Sequence, residues 1–222
     1  MIGEDKFSFY FTDPGLLSWV DLGEPDLTNI RPDATLKTVP MIEEDFFWAD
    51  YCQGFAIGST DAENTYAWAS LEDYPTEIDN SIYSILETGS FGIMISALYF
   101  ESFIVKILDT VPEVGWLFED GLLWVECDAD FPSIWFMFSQ KWIEVNPKDY
   151  VIPVGDGVCI FFIMPVDLAI NMLGMPLFVD YYTVHDPVQG TISWAPHTSS
   201  LKESLVHGPI PSKDQLIGVG EA

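Results

Sequence analysis

The sequence predicts a mainly-β fold with one clear α-helix, and three observations lead there. Val, Ile, Phe, Tyr and Trp gather in short runs bounded by Gly, Pro, Asn and Asp, the pattern of strands ending in turns. One segment alone breaks this with apolar residues at helical spacing. The 222 residues are 49% apolar and 15% aromatic, enough for a domain with an aromatic-rich core and too apolar for disorder over most of the chain.

In order, FSFYF (7–11), SWVDL (18–22), DFFWA (45–49), GFAIG (54–58), YAWASL (66–71) and SIYSIL (81–86) read as strands. LLWVEC (122–127), IWFMF (134–138), CIFFIM (159–164) and YYTVHD (181–186) continue the series. The helix is ALYFESFIVKIL (97–108), whose spacing puts Leu98, Phe100 or Phe103, Ile104 and Ile107 on one face. No repeat of solenoid or propeller length is present. From Thr198 the periodicity is lost and Gly, Pro, Ser and Lys rise, so residues 1–197 are expected to form the folded unit and 198–222 a tail, extended or docked on a partner.

Eight Lys and Arg against 35 Asp and Glu give a formal net charge of -27, which excludes a chain that must neutralise many phosphates. Nucleic acid is not an expected partner. Such self-repulsion is relieved in an acidic compartment, where carboxylates approach their intrinsic pKa of about 4. An acidic surface that keeps neighbouring molecules apart accounts for the same count. No apolar run is long enough for a membrane span. The first residues, MIGEDK, lack the basic start and apolar stretch of a signal peptide, so either the chain is not targeted by its own start or it is the downstream piece of a longer precursor.

Cys52, Cys127 and Cys159 form no C-x-x-C pair, and His185, His197 and His207 stand at no ligand spacing from them, so neither a metal nor another cofactor is expected. Cys127 ends one predicted strand and Cys159 opens another, and antiparallel neighbours would bring them together. That disulfide would contribute about 3 to 4 kcal/mol in the chain-entropy model. Three buried thiols are the other reading. His185 alternates with apolar neighbours in its strand and reads as a surface or satisfied histidine rather than a catalytic base. No G-x-S-x-G, phosphate loop or H-E-x-x-H occurs.

The informative segment is SIYSILETGSFGIMIS (81–96), which leads directly into the helix. A strand runs into Glu87-Thr88-Gly89-Ser90, and a second short strand follows. Glu87 is thereby presented on a tight turn. Gly89 permits close backbone approach, and the Thr88 and Ser90 hydroxyls can brace the turn through bonds to backbone. By itself such a string is any solvated turn.

Together with its surroundings, however, it resembles the second active-site turn of the pepsin-like aspartic proteases, where a strand enters Asp-Thr-Gly-Thr/Ser and leaves into a short strand and a helix. FSFYF followed by LGEPD (22–26) resembles the opening of that family's carboxy-terminal lobe. VPMIEEDFFW (39–48), then FPSIWFMF and WIEVNPKDYV (142–151), resemble its next segments, and Cys127 and Cys159 stand where the family has a bridged pair. NMLGMPLFVDYYTVHDPVQGTISWAP (171–196) resembles the closing pattern that contains a hydrophobic-Gly step and Y-Y-T-V-F-D. The resemblance covers about residues 6–196. It implies a single lobe of the pepsin-like, double-psi β-barrel-like fold, and a secretory, extracellular or acidic-vesicle location.

Three departures bear on activity. Glu87 replaces the family's catalytic Asp, and its extra methylene displaces the carboxylate by about a bond length, a misplacement that can cost on the order of 100-fold in rate. No Asp-Thr-Gly occurs in the sequence, so the second carboxylate must come from an amino-terminal lobe that the sequence does not contain. Phe91 and Met175 stand where the family has a small polar residue and Asp. The resemblance therefore implies an aspartic endopeptidase homologue that is catalytically impaired or inactive. Its partner would be a chain or lobe supplying the amino-terminal half, with an extended peptide as substrate if it is active. The alternative is a pseudoprotease serving as a structural or peptide-binding subunit of an assembly.

Overall fold

A computed structural model describes residues 5–12, 17–42, 47–70 and 80–217, and β-strands dominate them. The described strands form three sheets. In the first, Phe7–Tyr10 pairs on one side with Trp19–Leu22 and on the other with Tyr181–Asp186, followed by Thr191–Pro196 and Lys37–Pro40, all antiparallel. The second and largest is centred on Ala49–Ile57, which pairs with Ile82–Leu86 on one side and Ile134–Phe138 on the other. The third runs Val151–Gly155, Val158–Phe161, Leu122–Glu126 and Trp116–Glu119.

Turn chemistry closes the hairpins as expected of right-twisted strands. Asp120-Gly121 and Asp156-Gly157 both take left-handed conformations (φ 53° and 77° in each pair), the geometry of tight two-residue turns. CIFFIM does not stay one strand. It divides at Phe162 into Val158–Phe161 and Ile163–Val166, which belong to different sheets. Phe162 bridges them, donating its N–H to Tyr150 and accepting from Ile93. Of DFFWA, Asp45 and Phe46 lie outside the described residues and Phe47 and Trp48 form a bend, so only Ala49 belongs to a strand, and that strand, Ala49–Ile57, takes in most of GFAIG rather than standing apart from it. Leu71 of YAWASL and residues 1–4 also lie outside them.

The helix spans Ala97–Leu108 as the spacing predicts, but its buried face is Tyr99, Phe103, Ile104 and Ile107. Tyr99 replaces Leu98 in that face because the ring of Trp68 lies 5.5 Å from it. Phe103 packs at 4.7 Å from Phe55 and 6.1 Å from Phe136, so the helix is pinned across the central sheet by aromatic contacts. Burying each such side chain is worth about 1.5 to 3 kcal/mol. Two further single-turn helices, Pro147–Tyr150 and Met175–Phe178, add to the one expected. Each carries proline in its first turn, where a fixed φ and a missing N–H cost nothing, and each is too short to show periodicity.

Residues 198–217, expected as part of an extended or partner-docked tail, lie against the rest of the chain. Val206–His207 adds to the edge of Lys141–Val145, and Leu216–Ile217 pairs in parallel with Thr65–Trp68. Pro211 covers Gly54, where an added Cβ would meet Pro211 Cγ and the carbonyl of Tyr66 at 2.6 Å each. The last five residues of the sequence lie outside the description.

Candidate functional site

Glu87 leaves the sheet where two distant strands meet. Ile82–Leu86 pairs antiparallel with Ala49–Ile57 and parallel with Asn171–Leu173, while Asn171–Leu173 also runs antiparallel to Ile93–Ser96. The 171–173 strand thus lies between the strands that enter and leave the Glu87 turn. Four backbone bonds fix the turn from behind. Leu86 N–H donates to Trp48 (2.7 Å), Glu87 N–H to Leu173 (3.1 Å), Gly174 N–H to Gly92 (3.1 Å) and Met175 N–H to Ser90 (2.8 Å).

Gly174 is demanded by this crossing. A Cβ there would stand 2.3 Å from the carbonyl oxygen of Gly92 and 2.5 Å from that of Ser90. Gly92 is similarly confined, since an added Cβ would stand 2.9 Å from both the carbonyl oxygen of Phe162 and Met164 Cε. Gly89 is the opposite case, with nothing within 4 Å of an added Cβ, so the tip of the turn is open. The Ser90 hydroxyl is buried and donates to the carbonyl of Gly92 at 3.3 Å. Behind the turn, buried Asn171 accepts the Ser96 N–H at 3.0 Å and ties the turn to the start of the helix.

Glu87 and Thr88 are half-buried, and among the described residues nothing is bonded to the Glu87 carboxylate. The turn therefore presents a free carboxylate and a bare glycine, braced by bonds on its inner side. Phe91, next along the chain, is 81% exposed. This arrangement can accept or donate a proton to a group brought from outside, and a single carboxylate cannot by itself share a proton with a like neighbour.

Cys127 and Cys159 form a disulfide, Cα atoms 5.1 Å apart: Cys127 lies in the turn just past the strand Leu122–Glu126, and Cys159 is the second residue of the antiparallel neighbour Val158–Phe161. Cys52 is a free, buried thiol, pushed up to about 12 by desolvation and hydrogen-bonded to the carbonyl of Gly54. His185 is buried in an aromatic box, stacked on Phe7 at 4.8 Å and edged by Phe9 and Trp48. Desolvation takes its pKa down to about 3, so it stays neutral and is no base for surface chemistry. Among the described residues no group of His, Cys, Asp and Glu could hold a metal ion.

A second polar cluster escaped the sequence reading. Lys202 is buried, 3.0 Å from Asp149, and donates to the carbonyl of Val179 at 2.7 Å. Lys148 meets Asp180 at 2.8 Å, and His197 Nε2 stands 3.3 Å from the same carboxylate. Burial pushes Asp180 up, but its bonds to His197 and Lys148 outweigh that and hold it at about 2. Asp149 is pushed up by burial against the pull of Lys202. Ser199 completes an acid-histidine-serine line, yet His197 Nδ1 accepts the Ser199 backbone N–H at 3.2 Å, and the hydroxyl is shared with Tyr10. The imidazole acceptor is thus occupied, and the cluster works as a latch for the tail. Arg31 reinforces it by donating to the carbonyls of Ser200 and Lys202. Nothing in the spacing of Lys202 announces it, because its partners come from elements remote in sequence.

The chain matches no protein-family model and no curated protein sequence.

Proposed function

We propose that the chain is one lobe of a pepsin-like aspartic peptidase homologue, with Glu87 as the one carboxylate it brings to an active site that a second lobe must complete. One observation carries this reading. A carboxylate turn between two short strands is gripped from behind by a hydrophobic-Gly step from the far end of the chain, Leu173-Gly174, in the order and spacing that the resemblance implies. An extended peptide would lie across the open tip at Gly89, held by strand-like bonds, and the paired carboxylates would activate a water between them. The Phe7–Tyr10 sheet gives the second lobe an apolar seat, since Trp19, Val20 and Leu22 on its outer strand are exposed. The Cys127–Cys159 disulfide suits a secretory, extracellular or acidic-vesicle compartment.

A second reading, a pseudoprotease that binds peptide or builds an assembly without turnover, is favoured by Glu87 itself. Its longer side chain misplaces the carboxylate, and exposed Phe91 makes the lining apolar.

Native mass spectrometry of the protein isolated from its source, followed by hydrolysis of a denatured protein substrate between about pH 3 and 5, separates the two. The peptidase reading expects a companion lobe with an Asp-Thr-Gly turn, and activity lost on Glu87→Ala and on adding a statine-type transition-state analogue. Equal rates for the wild type and Glu87→Ala would overturn catalysis and leave the binding role, read by retention of the analogue without turnover.

A further inference from the structure

A groove of about 410 Å3 separates the helix Ala97–Leu108 from the hairpin made by Trp116–Glu119 and Leu122–Glu126. Ile104, Val105 and Leu108, one helical face, form one wall, and Trp116, Phe118 and Leu123 form the other. The Phe100 and Phe118 rings, 6.0 Å apart, join the walls at one place. Elsewhere the walls are bare, for Trp116 is 58% and Val105 45% exposed.

The hairpin also offers a free backbone edge. Trp116–Glu119 is the terminal strand of its sheet, all four of its residues are exposed, and among the described residues nothing pairs with its outer side. Glu119 and Leu122 flank the two-residue turn Asp120-Gly121 and so form its hydrogen-bonded pair. Alternation then turns the N–H and C=O of Trp116 and Phe118 outward. Edges of this kind are normally blunted by Lys, Pro or a bulge, and this strand has none of the three.

Charge indicates the occupant. The hairpin residues 116–126 carry Glu119, Asp120 and Glu126 with neither Lys nor Arg, and Glu101 lines the groove itself, while Lys106 of the same helix is turned to the Tyr66 ring, 5.2 Å from its centroid. A second copy of the chain would bring another -27 to this acidic rim.

We propose that the groove and its open edge bind an extended basic segment of a partner protein. The segment adds a strand beside Trp116–Glu119 and inserts alternate apolar side chains against Val105 and Leu108. The intervening Lys or Arg side chains point to the other face of the sheet, beside Glu119. The site shares no residue with the Glu87 turn and stands whether or not the chain takes part in proteolysis.

The test uses a fluorescein-labelled, end-blocked peptide, Lys-Val-Lys-Leu-Lys-Val-Lys, titrated with the full chain at physiological ionic strength and read by anisotropy. Saturable binding is expected. Replacing Val and Leu by Ser, or N-methylating the peptide at alternate residues, should each weaken it at least about tenfold. Val105→Lys should do the same while its melting curve shows that it folds, and Glu119→Lys provides an independent variant at the other end of the edge. Absence of saturable binding overturns the proposal. So does equal affinity for the Ser peptide, which would reduce the effect to charge, or for the N-methylated one, which would exclude strand addition. A dimer in sedimentation that Val105→Lys dissolves would assign the groove to a second copy instead.

Discussion

The backbone N–H of Glu87 donates to the carbonyl of Leu173 over 3.1 Å, joining the middle of the chain to a strand near its end. With the bonds from Gly174 to Gly92 and from Met175 to Ser90, this clamps both limbs of the Glu87 turn. The carboxylate is therefore placed by backbone rather than by side-chain partners. Its position depends on how closely two backbones can approach.

Gly174→Ala is expected to lose about 3 kcal/mol in urea unfolding, near the upper end for overpacking, because the obstacles to the new Cβ are carbonyl oxygens rather than a flexible side chain. Gly89→Ala, at the open tip, should change stability by less than about 1 kcal/mol. Equal losses for the two would refute the clamp.

Lys202→Met should destabilise by about 3 kcal/mol, since it leaves Asp149 buried without its cation. Limited proteolysis should then cut within residues 198–217 before the rest of the fold. Adding Asp149→Asn should recover part of the loss, and an additive double variant would disprove the pairing.

His185 and Asp50 make opposite contributions to acid stability. Desolvation lowers His185 to about 3, so between that value and its unfolded pKa near 6.5 the unfolded chain binds a proton the folded one refuses. Stability is lost as pH falls, at up to about 1.4 kcal/mol per pH unit. Desolvation raises Asp50 to about 6, against the bonds it accepts from Tyr51 N–H and Ser139, so the folded state keeps a proton that the unfolded state has released above about pH 4. Here stability is gained as pH falls from 6. Relative to wild type, His185→Phe should gain stability progressively from pH 6.5 down to 4. Asp50→Asn should hold its largest advantage above pH 6 and lose it by pH 4. Urea midpoints at several pH values check both, and curves parallel to wild type would contradict the assigned burial.

Replacing Cys127 and Cys159 together by Ser should cost about 3 to 4 kcal/mol, the chain-entropy value for the loop they close. Peptide mapping without reductant should recover the two cysteines joined and Cys52 free.

Many of the strands, the long helix and the Glu87 turn could be read in the sequence because each depends on local pattern, whereas strands such as Trp116–Glu119 and Val151–Gly155 were not read. Short runs of β-branched and aromatic residues bounded by turn formers mark the strands, 3.6-residue spacing marks the helix over 97–108, and Gly with hydroxyl residues marks the turn. The single-turn helices at 147–150 and 175–178 were hidden because four residues carry no period. CIFFIM shows the same limit from the other side, since a continuous apolar run does not say where a chain passes from one sheet to another. The crossing of Leu173-Gly174 behind the Glu87 turn was legible only through the resemblance, and only the tertiary structure decided that Lys202 is buried with Asp149 and that residues 198–217 return to the body of the chain. Those are contacts between segments remote in sequence. Their energies arise from shared burial and backbone approach, which no local stretch of residues encodes.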